Sequence, residues 1–315
     1  MKPEVLAVSP LYAKAQDALE REFIVHRLWE AADRDALLAE IGPRVRAIST
    51  TGGSGADAAL MDRLPKLEIV GCFGVGYDAV DVAHADTRGI AVTNTPEVLN
   101  DAVADLTLGL MLAICRRIPQ ADRFLREGRW TEGQFPLTGH LGGRTAGILG
   151  LGRIGKEIAK RAEAFGMKIV YHGRRAQAGQ PYPYYADLTE MARAVDYLVV
   201  VVPGGAETKA LVDRQVMEAL GPNGTLVNVA RGSVIDETAM IELLSDGRLG
   251  AAALDVFADE PRVPAALRHL DNVVLQPHLG SATHDTRFAM GDLVVRNLRA
   301  HFAGRPLLSP VNRPA

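Results

Sequence analysis

The chain has little of what marks an extracellular, nucleic-acid-binding or membrane protein. It contains two cysteines in 315 residues, Cys72 and Cys115, both within apolar runs. That is too few for a disulfide framework, and there is no C-x-x-C pair to hold zinc. The eight histidines are scattered, with no metal-ligand spacing, so no metal is expected. A formal net charge of −3 and the lack of a basic run argue against a nucleic-acid or anionic-membrane partner. The apolar stretch Leu106–Ile114 is interrupted by Gly109 and preceded by Asp101 and Asp105, so it is too short and too charged to cross a bilayer. The amino-terminal MKPEVLAVSP has too small an apolar core for a secretory signal. These absences predict a cytoplasmic protein.

What is present is globular composition, 48% hydrophobic and 23% charged, over a length that suits two domains. The most informative segment is Thr145–Arg175. The apolar run Ala146–Leu149 leads into Gly150, Gly152 and Gly155, a G-x-G-x-x-G that opens a helix with apolar Ile154, Ile158, Ala162 and Phe165. Gly166 stops the helix, and Lys168–Tyr171 begins a second strand. In such a turn the first glycine allows the bend, the second admits a pyrophosphate and the third lets helix and strand pack closely. The helix start adds N–H groups and partial positive charge, with Arg153 and Ile154 in its first turn. An NAD site usually has an acid about 20 residues further on, for the ribose 2′-OH. Here the strand ends at His172, Gly173, Arg174 and Arg175. A guanidinium pairs with a 2′-phosphate that a carboxylate would repel, so NADP(H) is expected over NAD(H), with NAD(H) use kept as the alternative.

The first ninety-odd residues alternate strands (Val5–Val8, Phe23–Val25, Val45–Ser49, Leu67–Phe73, Ile90–Thr93) with helices (Ala13–Glu22, Arg34–Ile41, Ala56–Leu64), the rhythm of a parallel sheet covered on both faces. Pro96 suits the first turn of a helix capped near Asn94 or Thr95 and running to about Arg117. Residues 126–144 lack periodicity and carry Trp130 and Phe135 among glycines, which predicts an arm that packs on a second subunit. From Thr145 six candidate strands follow, near Ile148, Ile169, Tyr197–Val202, Thr225–Val229, Ala251–Leu254 and Val273–Leu275. The expected fold is α/β, with two doubly wound parallel sheets. A last helix, about Asp285–Phe302, follows the sixth strand and is placed to return the chain to the first domain.

Ligands of open α/β sheets bind beyond the carboxyl ends of the strands. Three such ends carry chemistry: Arg231 after Thr225–Val229, Asp255 with Asp259 and Glu260 after Ala251–Leu254, and His278 after Val273–Leu275. Hydride delivered to a ketone leaves charge on its oxygen and demands a proton. A histidine can supply that proton, an acid can hold its ring, and an arginine can bind a substrate carboxylate and the developing alkoxide.

The strings GILGLGRIG, NVARGSVID, ALDVFADEP and QPHLGSAT, in this order, resemble the D-isomer-specific 2-hydroxyacid dehydrogenases, with the glyoxylate/hydroxypyruvate reductase branch nearest. The resemblance runs from about Cys72 to Thr283 and is weaker in the first sixty residues. It implies that Arg231 binds the substrate, that His278 donates the proton in reduction and that Glu260 raises its pKa. Asp255 would lie near the nicotinamide carboxamide, and the Val75 and Gly76 backbone would hold the substrate carboxylate. Thr208 matches a threonine close to the cofactor phosphates, and Gly173 stands where NAD-using members carry the ribose-binding acid. Val202, Pro203, Val229, Ala230 and Gly280 complete the expected cofactor contacts. The resemblance further implies a flavodoxin-like substrate domain (1–97 plus 285–315) into which a Rossmann domain (98–284) is inserted, a homodimer with its arm at about 126–144, and Trp130 near the neighbouring subunit's pocket. The expected reaction is NADPH-dependent reduction of a small 2-oxo acid, glyoxylate or hydroxypyruvate, to the D-2-hydroxy acid. An NAD-dependent dehydrogenase of another D-2-hydroxy acid, or a non-enzymatic dinucleotide-sensing protein, stands as the alternative.

Overall fold

The computed structural model describes residues 2–312. The chain forms two compact units, Met1–Leu99 with Thr283–Ala315, and Asn100–Ala282.

The first unit is a five-stranded parallel sheet made of β1 (Glu4–Ala7), β2 (Ile24–Arg27), β3 (Val45–Thr51), β4 (Ile69–Phe73) and β5 (Ala91–Thr93). Its order, β2-β1-β3-β4-β5, is the flavodoxin-like arrangement. β4 is buried at every position, as a strand covered on both faces must be, whereas Ile24 on the edge strand is 42% exposed. Asp33, Asp57 and Asp81 each accept N–H bonds at the start of the helix that follows them, Arg34–Ile41, Ala58–Asp62 and Val82–Thr87. The helix His284–Phe302 packs on β4 and on the helix Ala13–Glu22. Small residues set both approaches. A Cβ on Gly71 would lie 3.0 Å from Val294, and one on Gly291 would lie 2.2 Å from the Ala15 Cβ. The segment after this helix is tied in by Asn297, whose amide accepts from the Leu308 and Ser309 N–H groups, and by Asn312, which accepts from Val92 N–H at 2.7 Å.

The second unit has seven parallel strands: β6 (Thr145–Leu149), β7 (Lys168–His172), β8 (Tyr184–Tyr185), β9 (Tyr197–Val200), β10 (Thr225–Asn228), β11 (Ala251–Leu254) and β12 (Val273–Leu275). Their order, β12-β11-β10-β9-β6-β7-β8, is that of a dinucleotide-binding sheet with one added strand, and the switch point lies between β6 and β9. Apolar cores fill both faces.

Several expectations are corrected. The helix expected from Pro96 to about Arg117 spans Asn100–Cys115. Thr95 is committed to Gly74, exchanging a backbone bond and a hydroxyl bond with it, and Glu97 has φ 73, which no helix accommodates. Arg117, at φ 51, then opens a separate helix, Ile118–Arg126, that buries none of its residues. The sheet gains the two-residue β8, too short to read from pattern. Phe165, read as part of the apolar face of the helix after the glycine turn, is 45% exposed. Among the described residues no helix is long and apolar enough to cross a membrane.

Candidate active site

In the second unit the glycine turn follows β6. Gly150 has φ 102, and an added Cβ would meet Val202 at 2.8 Å. A Cβ on Gly155 would lie 2.3 Å from the Gly150 carbonyl oxygen. These two glycines are required by the fold itself. Gly152 is different: it is exposed, an added Cβ would meet nothing within 4 Å, and no side chain caps the helix Arg153–Ala164 that it starts. Room above a helix start, where backbone N–H groups and the helix dipole favour an anion, fits a pyrophosphate. Val202, Pro203 and Thr208 lie beyond the end of the neighbouring strand β9. The Thr208 hydroxyl donates to the Pro203 carbonyl at 2.7 Å, so it pins this loop and caps no helix.

At the end of β7 a side chain on Gly173 would meet nothing within 4 Å. The missing acid is therefore a choice of chemistry and not of space. Arg174 and Arg175 are exposed and have no ion-pair or hydrogen-bond partner among the described residues.

Three further strand ends meet at the other side of the sheet. Beyond β10, buried Asn228 folds the turn that carries Val229, Ala230 and Arg231. Its Oδ1 accepts from Ala230 N–H at 3.0 Å, and its Nδ2 donates to the Arg231 carbonyl at 3.0 Å. Sequence reading gave Asn228 no role, although an amide just before a turn is a recognisable turn-former. Gly232 has no space for a side chain, since an added Cβ would lie 1.9 Å from the Phe257 carbonyl carbon. That contact brings the Arg231 turn against the loop beyond β11. There the Phe257 N–H donates to Glu260 Oε1 at 3.1 Å.

Beyond β12, His278 Nδ1 lies 2.7 Å from Glu260 Oε2. An ionised carboxylate only accepts, so Glu260 selects a protonated Nδ1 and fixes the ring. Burial pushes the Glu260 pKa up, but the bonds from His278 and the Phe257 N–H, with the charges of His278 and Arg231, outweigh it and hold the carboxyl below its ordinary value. His278 has φ 53, a left-handed conformation that is unfavourable outside glycine. Asp255 holds it there. The Asp255 carbonyl accepts from His278 N–H at 2.9 Å, and its carboxylate accepts from Leu279 N–H at 2.6 Å and Gly280 N–H at 2.8 Å. The carboxylate is 1% exposed, and burial raises its pKa against the lowering effect of those two N–H groups. Asp255 thus shapes the histidine loop, a structural duty that sequence reading did not assign.

In the first unit the loop after β4 carries Val75 and Gly76. Neither N–H has a hydrogen-bond partner among the described residues, while the Val75 carbonyl accepts from Asn94 Nδ2 at 2.9 Å. Gly52 lets the neighbouring loop come close, since its Cβ would fall 2.3 Å from the Gly76 carbonyl oxygen. Among the described residues no group of three His, Cys, Asp or Glu could hold a metal ion.

Comparison with known proteins follows the same lines. Residues 108–280 match the family described as D-isomer specific 2-hydroxyacid dehydrogenase, NAD binding domain. The chain is 48% identical to glyoxylate/hydroxypyruvate reductase A of Arabidopsis thaliana and 47% identical to hydroxyphenylpyruvate reductase of Plectranthus scutellarioides, over 98% of each chain in both cases. It superposes with a TM-score of 0.94 on the NADPH-dependent glyoxylate/hydroxypyruvate reductase of Sinorhizobium meliloti solved with NADP and malonate, at 47% identity, covering 100% of this chain and 98% of that one. With the strand-end residues in place and similarity along its whole length, the chain belongs to the D-isomer-specific 2-hydroxyacid dehydrogenase family.

Proposed function

We propose that this protein is a cytoplasmic, NADPH-dependent reductase that converts glyoxylate or hydroxypyruvate to the D-2-hydroxy acid. The observation that carries the proposal is the His278–Glu260 pair at 2.7 Å, on strand ends next to Arg231. The dinucleotide, when bound, supplies the hydride. Arg231 brings a permanent positive charge to the substrate carboxylate and to the oxygen that gains charge. The protonated His278 ring gives its proton to that oxygen, and Glu260 stabilises and orients the ring. In the first unit, the unpartnered Val75 and Gly76 N–H groups suit a carboxylate. We assign substrate binding to the Met1–Leu99 and Thr283–Ala315 unit and dinucleotide binding to Asn100–Ala282. The open position above Gly152 takes the pyrophosphate, with Arg153 and Ile154 beneath it, and Val229, Ala230 and Gly280 line the nicotinamide end. Two unpaired arginines beside an acid-free Gly173 favour a 2′-phosphate over a bare ribose, in accord with the Sinorhizobium relative named as NADPH-dependent.

The same reading includes a homodimer. Ile118, Leu125, Trp130 and Leu137 are 51%, 56%, 63% and 101% exposed on one stretch of chain, more apolar surface than scattered exposure explains. The stretch is ordered from within: Phe124 meets Phe135 edge-on at 5.4 Å, and Arg129 lies over Phe124 at 4.8 Å. A structured apolar arm fits a second copy of the chain.

Activity decides the proposal. Absorbance at the nicotinamide band is followed with glyoxylate, hydroxypyruvate, pyruvate and 4-hydroxyphenylpyruvate, each with NADPH and NADH. His278→Ala should lower kcat about 10²–10⁴-fold. Near-normal turnover in the folded variant removes His278 from its role, and a strong preference for the aryl substrate moves the activity toward that of the Plectranthus relative.

A further inference from the structure

The exposed stretch Arg174–Ala176 is held at both ends. On one side the Gly173 carbonyl accepts from the Tyr184 hydroxyl at 3.1 Å, and Tyr184 stacks on His172 with an interplanar angle of 9°. On the other side the Gln177 N–H donates to the hydroxyl of buried Tyr171 at 2.7 Å. The Gln177 side chain then crosses to the glycine turn, where its Nε2 donates to the Leu151 carbonyl at 2.8 Å. Leu151 stands between Gly150 and Gly152. One side-chain bond therefore links the loop carrying the two arginines to the turn assigned to the pyrophosphate.

The separation between pyrophosphate and 2′-phosphate is limited by the covalent structure of the nucleotide. A loop held in register with the pyrophosphate turn presents its guanidinium groups at that separation before ligand arrives, and less ordering is left to be done on binding. We propose that Gln177 is a positioning residue for cofactor choice, selecting the 2′-phosphorylated dinucleotide by holding Arg174 and Arg175 in place. The inference rests on the assignment of those arginines to the 2′-phosphate.

The test uses the full chain and measures binding as well as turnover. Gln177→Met keeps the length of the side chain and removes the donor, and Tyr171→Phe removes the second tie. Calorimetric titration with adenosine 2′,5′-bisphosphate should show affinity about 5- to 10-fold weaker in each variant, the size expected from one lost positioning bond, with ADP affinity changed less than about twofold. The NADPH:NADH ratio of kcat/KM should fall by a similar factor, through the KM for NADPH. Equal weakening toward both nucleotides would mean that Gln177 only shapes the pyrophosphate turn and would overturn the inference, as would no change toward either. Arg174→Ala with Arg175→Ala separates the two claims. If that variant still binds the bisphosphate tightly, the arginine assignment fails and the inference fails with it. If it loses binding while Gln177→Met does not, only the role of Gln177 is lost.

Discussion

Replacing Asp255 by asparagine should damage both the stability of the dinucleotide unit and its chemistry. Asparagine matches the shape, but only one of its two polar atoms accepts. One of the bonds from Leu279 and Gly280 N–H is lost, and that N–H is left facing an amide in a place where the native side chain is 1% exposed. Losing a bond to a charged acceptor costs about 1.5–3 kcal/mol, and stranding the donor adds about 1–3 kcal/mol. Part of this is returned, because burial already disfavours the ionised carboxyl. A net loss of about 2–4 kcal/mol corresponds to a fall in Tm of about 5–15 °C for a unit of this size. The consequence for turnover is separate. His278 keeps φ 53 only while its loop is held, and such a conformation costs about 1–3 kcal/mol. With the hold weakened, the residue relaxes toward ordinary φ and its ring leaves Glu260. A displacement of about 1 Å at a reacting group lowers kcat about 10²-fold. Calorimetry and steady-state kinetics on the same preparation measure both effects. A variant with unchanged Tm and kcat within about threefold of the parent would refute the argument that Asp255 shapes this loop.

Other consequences are sharper in contrast than alone. Gly152→Ala should fold normally, because its Cβ enters open space, yet raise the KM for dinucleotide at least about tenfold, whereas Gly155→Ala should lose several degrees of Tm from a 2.3 Å clash with backbone. The Glu260 pKa is held below its ordinary value of 4.5, so its contribution to stability is present above the unfolded-state value and is lost as pH falls through the depressed folded-state value. The Tm difference between the parent and Glu260→Gln should therefore shrink as pH falls below about 4.5, and a difference that grows over that acid range would contradict the sign. Leu125→Glu with Leu137→Glu should convert a dimer to a monomer in sedimentation velocity, and a parent that is already monomeric at micromolar concentration removes the arm from that role.

Much of the site was legible because its residues occupy strand ends and turns. Gly150, Gly152 and Gly155 follow an apolar strand and open a periodic helix, and Arg231, Asp255 and His278 each follow a run that reads as a strand. What escaped depends on bonds between residues distant in sequence. β8 is two residues, paired to β7 and braced by tyrosines, and no periodicity exists in so short a piece. Gly232 acts through the loop beyond β11, where its close neighbour is Phe257, about 25 residues away. The misplaced helix start at Pro96 has the same cause: Thr95 has good capping chemistry, but Gly74 takes its hydroxyl first. The helix Val82–Thr87 is short and its cap, Asp81, is its main local signal.

The helix His284–Phe302 has a consequence for biosynthesis. It covers β4, and the strand β5 receives a bridge from Pro310 and a backbone bond from Val311, so the amino-terminal sheet is completed by residues translated only after the whole of the unit Asn100–Ala282. The unit Asn100–Ala282 is contiguous and can assemble as it leaves the ribosome. The opening ninety residues must wait through that interval with an apolar sheet face uncovered. Aggregation of nascent chains, and any dependence on a chaperone, should therefore concentrate at β4, and a stop codon placed before His284 should release a product with an intact glycine-turn unit and an unfolded amino-terminal segment.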